Sequence, residues 1–146
     1  MIFDVLPKSL ILALGIQLSC QGFKFVAASV RTRTLSWGHL TTPGGMPSAH
    51  SAFVTALAVC IGVFSGFTSD LFALAAVFGG IVIFDAYKLR GNVQKQAVVV
   101  NRLQSRALPE GEQVKINEMV GHTLPEIVAG IAWALVIAFP AAFLLK

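Results

Sequence analysis

Charge is what this chain has least of. Only 12% of its 146 residues are acidic or basic, against 55% hydrophobic, and its mean hydropathy is +0.76. A soluble domain carries about 25% charged residues, so an ordinary water-soluble fold is excluded. Cysteine is scarce as well. Cys20 and Cys60 both lie in apolar runs, with no metal-ligating neighbour at short spacing, and both read as small buried apolar residues. No dense short-range ligand motif is present, so neither a metal nor another cofactor is expected. The first apolar run is too long for a signal-peptide core and has no A-x-A-like site ahead of a soluble domain. Internal repeats and low-complexity tracts are absent, which leaves residues 1–146 as a single membrane-embedded domain.

What is present is a set of apolar runs long enough to cross a bilayer, for which a helix needs about 20 residues. Four spans are expected: Val5–Val30, Pro47–Gly66, Leu71–Tyr87 and Leu124–Leu145. The second and third are close enough to form a hairpin through Phe67–Asp70. The fold class is all-α, a polytopic transmembrane bundle. The connection Lys88–Thr123 adds an amphipathic helix, with Val93, Ala97, Val100 and Gln104 on one face and Lys95, Arg102 and Arg106 on the other. That pattern suits a helix in the membrane interface. Gln94, Gln96 and Asn101 read as interface or packing residues, His39 as a surface loop residue, and Trp37 and Tyr87 as boundary aromatics.

Four spans put both long connections, Arg31–Met46 and Lys88–Thr123, on one side. That side holds Lys24, Arg31, Arg33, Lys88, Arg90, Lys95, Arg102, Arg106 and Lys115, and the other only Lys8 and Lys146. The bias places the cation-rich side in the cytoplasm, or the equivalent compartment of an organelle. The net charge of +4 suits an anionic lipid or phosphate partner; no nucleic-acid partner is expected.

Chemistry concentrates at that boundary. In GGMPSAHS, Gly44 to Ser51, Ser48 has the character of an N-cap. A helix N-terminus attracts an anion through its unpaired amides and dipole. His50 falls in the first turn, where its ring could give a proton to a leaving oxygen; a capping motif with a loop-bonded histidine fits the same stretch. In GHTLPEIVAG, Gly121 to Gly130, the arrangement recurs with His122 and Thr123. Thr123 and Glu126 have capping-box spacing, and Pro125 suits a first turn. Glu126 also stands four residues from His122, where a carboxylate can fix one ring nitrogen and leave the other nucleophilic. Lys24 and Arg31, seven apart, share a helix face about two turns long. A cation within a span faces a partner or a site. Asp85, the one acid in the apolar part of the third span, is either a site acid or the ion-pair partner of Lys24 or Lys88. Arg90 is a phosphate fork candidate.

Together these residues resemble the divergent branch of the type 2 phosphatidic acid phosphatase superfamily, which is related to acid phosphatases and vanadium-dependent haloperoxidases. The superfamily pattern has three motifs, K-x6-R-P, P-S-G-H and S-R-x5-H-x3-D. Lys24 and Arg31 match the first, with Thr32 in place of proline. Pro47, Ser48 and His50 match the second, with Ala49 for glycine. His122 matches the third, with Glu126 for aspartate and Ile116 where the arginine belongs. The run from Asp85 to Ala97 and the G-H-T-x-x-E run are similar to what the divergent branch carries instead.

The resemblance implies a membrane phosphatase acting on a lipid phosphomonoester or diphosphate without a metal. Lys24, Arg31, Ser48 and Arg90 would grip the phosphate, His122 would form a phosphohistidine oriented by Glu126, and His50 would protonate the leaving group. The missing arginine removes a charge-assisted contact worth about 1.5–3 kcal/mol unless Arg90 or Lys88 replaces it. Four spans instead of the superfamily's common six imply a trimmed bundle that self-association would complete. The alternative is a non-catalytic membrane protein that binds or moves anionic lipids with a remnant site.

Overall fold

The computed structural model describes residues 6–34 and 45–146; Trp37, His39 and most of the first long connection lie outside the described residues. The described chain is helical. It contains α1 (Lys8–Thr32), α2 (Ala49–Ser65), α3 (Asp70–Phe84), a π-helical turn (Asp85–Leu89), α4 (Arg90–Ala107), a short 3-10 turn (Glu110–Glu112) and α5 (Leu124–Leu144). By length and composition, α1, the continuous Asp70–Ala107 helix and α5 are each able to cross a membrane, and α2 is a shorter apolar helix of 17 residues. The chain forms a helical membrane bundle.

Local sequence sets the helix starts. Ser48 accepts from Ser51 N and Ser69 accepts from Phe72 N. Thr123 and Glu126 form a reciprocal capping box with Pro125 in the first turn, so each cap satisfies amides that have no intrahelical partner. Residues 66–69 close the expected α2–α3 hairpin.

α2 occupies the centre, packed against α1, α3 and α5. The core is made of small residues: Ala13 and Cys20 of α1, Ala52, Ala56 and Cys60 of α2, and Ala134, Ala138 and Ala142 of α5 are fully buried. Ile16, Val59 and Val63 join them, while many large side chains point outward, Leu18, Val30, Val136 and Leu144 being 70–86% exposed. That distribution inverts a soluble core. Lipid tails are as apolar as leucine, so helices associate through close backbone approach, which small residues permit.

The third span does not stop at Tyr87. No proline interrupts residues 85–107, and the helix runs on for 38 residues, Asp70–Ala107, about 57 Å at 1.5 Å per residue. The amphipathic segment is therefore continuous with this span rather than a separate helix. Ala97 is buried while Lys95, Arg102 and Arg106 are exposed. Residues 113–123 form no helix or strand and return as a strap along α4 to the start of α5.

Candidate functional site

The two histidines, 72 positions apart in the chain, meet. Ring centroids of His50 and His122 are 6.0 Å apart in an edge-on arrangement. His50 lies in the first turn of α2 and His122 just before α5, so the N-termini of two neighbouring helices converge at one end of the bundle. Ser48 N donates to Glu126 O at 2.9 Å, which ties the start of α2 to the first turn of α5. Gly130 allows this approach: a Cβ there would lie 2.3 Å from Ser48 O.

Glu126 carries both of the roles its spacing suggested. Its Oε2 accepts from Thr123 N at 3.1 Å, closing the capping box, and lies 3.0 Å from His122 Nδ1. An ionised carboxylate can only accept, so this pairing has Nδ1 as the donor, and in the neutral ring Nε2 then keeps a lone pair. The His122 side chain is 1% exposed, and its backbone N–H donates to Ala86 O at 3.1 Å.

The cations divide. Lys24 is buried in α1 beside the Gly45 turn, where a Cβ would lie 3.7 Å from Lys24 Cε and where φ is +95°, a value suited to glycine. Lys24 and Glu126 are close enough to influence each other electrostatically. His50 lies within the electrostatic reach of Arg90, His122, Lys24 and Asp85. Arg31 is different. It is exposed in the last turn of α1 and makes no hydrogen bond or ion pair among the described residues. Seven residues set it about 10 Å along the axis from Lys24, on the same helix face.

Two further expectations change in detail. The Ser48 side chain is fully buried and bonded to Ser51 N and Oγ, and its amide is taken by Glu126. The helix end therefore offers an anion the amides of Ala49 and His50, which have no intrahelical acceptor. Asp85 pairs with neither Lys24 nor Lys88. It accepts from Arg90 Nε at 2.8 Å, because the π turn brings together residues five apart that an ordinary α-helix would separate by about 140°. Arg90 keeps its terminal nitrogens beyond this contact. Among the described residues, no group of three or more His, Cys, Asp or Glu could hold a metal ion.

Sequence reasoning missed the polar ties that carry His122 to its place. The one visible signal is the glycine pair Gly91 and Gly121: a Cβ on Gly121 would come 2.8 Å from Gly91 Cα. Gln94, Asn101 and Gln104, read as packing or helix-face residues, instead bind the strap.

Comparison with known proteins agrees with this architecture. The chain is 36% identical to the uncharacterized membrane protein YuiD of Bacillus subtilis (strain 168), over 74% of this chain and 79% of that one. No solved structure matches it. Residues 6–137 match the family described as the Divergent PAP2 family, a span that takes in α1 to α4, the histidine end and the first two-thirds of α5. On that match the chain belongs to the Divergent PAP2 family and is a PAP2-related membrane protein.

Proposed function

We propose that the protein is a membrane-embedded phosphatase that hydrolyses a lipid phosphomonoester or diphosphate through a phosphohistidine, with no metal, on the cytoplasmic side of the bilayer. The observation that carries this reading is the meeting of two imidazoles at 6.0 Å, one of them held through Nδ1 by Glu126 at 3.0 Å. An acid and a nucleophile within reach of one phosphorus atom are the minimum for such a reaction.

The His122 Nε2 lone pair attacks phosphorus from about 3–3.5 Å, in line with the bond to the leaving oxygen. A phosphorus–nitrogen bond forms as the phosphorus–oxygen bond breaks. His50 need not lie on that line; it has only to reach the leaving oxygen and give it a proton. Water then attacks phosphorus, His50 takes the proton, and His122 leaves with its electron pair. Lys24 and Arg90, both within electrostatic reach of His50, would oppose the charge that spreads over the phosphoryl oxygens. Arg90 offers its terminal nitrogens in place of the missing arginine, and Arg31 contributes at longer range. Because the His122 ring is nearly enclosed, its surroundings must open for the phosphoryl group to enter. That same enclosure keeps water from the ring between turnovers.

The test is phosphate release from a panel of lipid phosphates by purified protein in detergent, beside His122→Ala. Release by the wild type and none by the variant supports the proposal. No release from any lipid, with retained binding of anionic lipid by both proteins, would replace it with the lipid-binding alternative.

A further inference from the structure

In an α-helix each carbonyl accepts from the amide four residues ahead. Over Asp85–Leu89 the ladder shifts, and Arg90 N bonds to Asp85 O, five residues back. α4 then continues in α-helical register. A change from five to four passes over one carbonyl, which needs a donor from elsewhere. His122 supplies it, its N–H donating to Ala86 O at 3.1 Å. The residue before is tied too: Gly121 N donates to Gln94 Oε1 at 3.1 Å, against the backbone of Gly91.

The ties continue along α4. Asn101 Nδ2 donates to Ile116 O at 2.8 Å while its Oδ1 accepts from Ile116 N at 3.0 Å. Gln104 does the same with Val114, at 3.2 and 2.8 Å. Side-chain amides thus take the part of a neighbouring strand, each satisfying an N–H and a C=O of a segment with no secondary structure of its own. Gln94, Asn101 and Gln104 are seven and three residues apart and share one face of the helix.

We propose that this face of α4 is a positioning device for His122, with Gln94 its principal positioning residue. Gln94, Asn101, Gln104 and the carbonyl released at the π turn fix the register of the strap. That register brings His122 Nδ1 to Glu126 and leaves Nε2 as the free nitrogen. A strap that slipped or lifted would free the ring to take either tautomer.

The first arm of the test is spectroscopic and independent of activity. Histidine-selective 15N labelling of the full chain in detergent micelles reports which ring nitrogen is protonated, and His122→Ala identifies the signal. The wild type is expected to show His122 protonated on Nδ1. Gln94→Leu removes the acceptor, and Gly121→Ala drives a Cβ into the Gly91 backbone; both are expected to move the His122 signal to the other tautomer or to an average. Gln94→Glu keeps an acceptor oxygen and is expected to retain the wild-type signal. Gly91→Ala is expected to retain it as well, since a Cβ there meets nothing within 4 Å. An unchanged signal in Gln94→Leu overturns the proposal, and this variant decides alone if Gly121→Ala does not fold.

The kinetic arm rests on the phosphatase reading. Gln94→Leu is expected to lower kcat about tenfold to a hundredfold with KM moved by less than about twofold, and Gln94→Glu to restore kcat. A loss that merely follows the folded fraction also overturns the proposal. If the wild type releases no phosphate, the phosphatase reading fails, and the ring signal still decides the role of Gln94.

Discussion

The two ends of the bundle are held in different ways. At the histidine end, directional bonds cross between elements: Ser48 N to Glu126 O, His122 N to Ala86 O, Gly121 N to Gln94. At the opposite end the contacts are mostly apolar. Phe67 packs on Phe72 and Phe139 at centroid distances of 5.1 and 6.4 Å, and Phe139 on Phe143 at 6.5 Å. The polar tie there is Lys8 Nζ donating to Leu145 O at 2.8 Å. Dispersion and burial fix a separation but not an orientation, whereas hydrogen bonds weaken steeply with angle. The end where the two histidines meet is built from the directional kind.

Substitutions at the two ends should therefore differ in kind as well as size. The largest effect is expected from His122→Ala, which should lower phosphate release by more than about a thousandfold while the purified protein keeps its helical circular dichroism. Parallel release by both proteins would remove the nucleophile from the scheme. Next comes Gly130→Ala. Its Cβ would press on Ser48 O, a backbone atom with little room to give, and a destabilisation of about 1–3 kcal/mol is expected. Thermal unfolding in detergent measures it, with Gly15→Ala as the comparison because a Cβ at Gly15 meets nothing within 4 Å.

At the apolar end, Phe67→Leu should cost about 0.5–1.5 kcal/mol through the lost ring contacts and leave phosphate release unchanged. A fall in release at full folding would show that the two ends are coupled. The smallest effect is expected from Lys8→Met. Its bond is exposed, and such contacts contribute about 0–1 kcal/mol, so the unfolding midpoint should scarcely move.

Much of this contrast was legible in the sequence where a residue type has a single job. Ser48 and Thr123 announced helix starts because a hydroxyl beside an apolar run has few other uses, and Glu126 was legible in both roles from its distance to Thr123 and His122. The burial of Cys20 and Cys60 followed from their place in apolar runs, whereas the alanine-rich make-up of the core was not read from the sequence. The Asp85–Arg90 pair was not legible. It depends on a π turn, and the five residues DAYKL carry no pattern that distinguishes it from α-helix. The amide ties of Gln94, Asn101 and Gln104 were hidden for another reason: their partners are main-chain groups of the strap, which have the same chemistry at every residue.

One oxygen of Glu126 serves both the cap of α5 and the His122 ring. Whatever alters the charge of that imidazole changes the load on an acceptor shared with the Thr123 main-chain N–H. The resonance of that amide is thus a built-in gauge of the chemical state of the His122 ring.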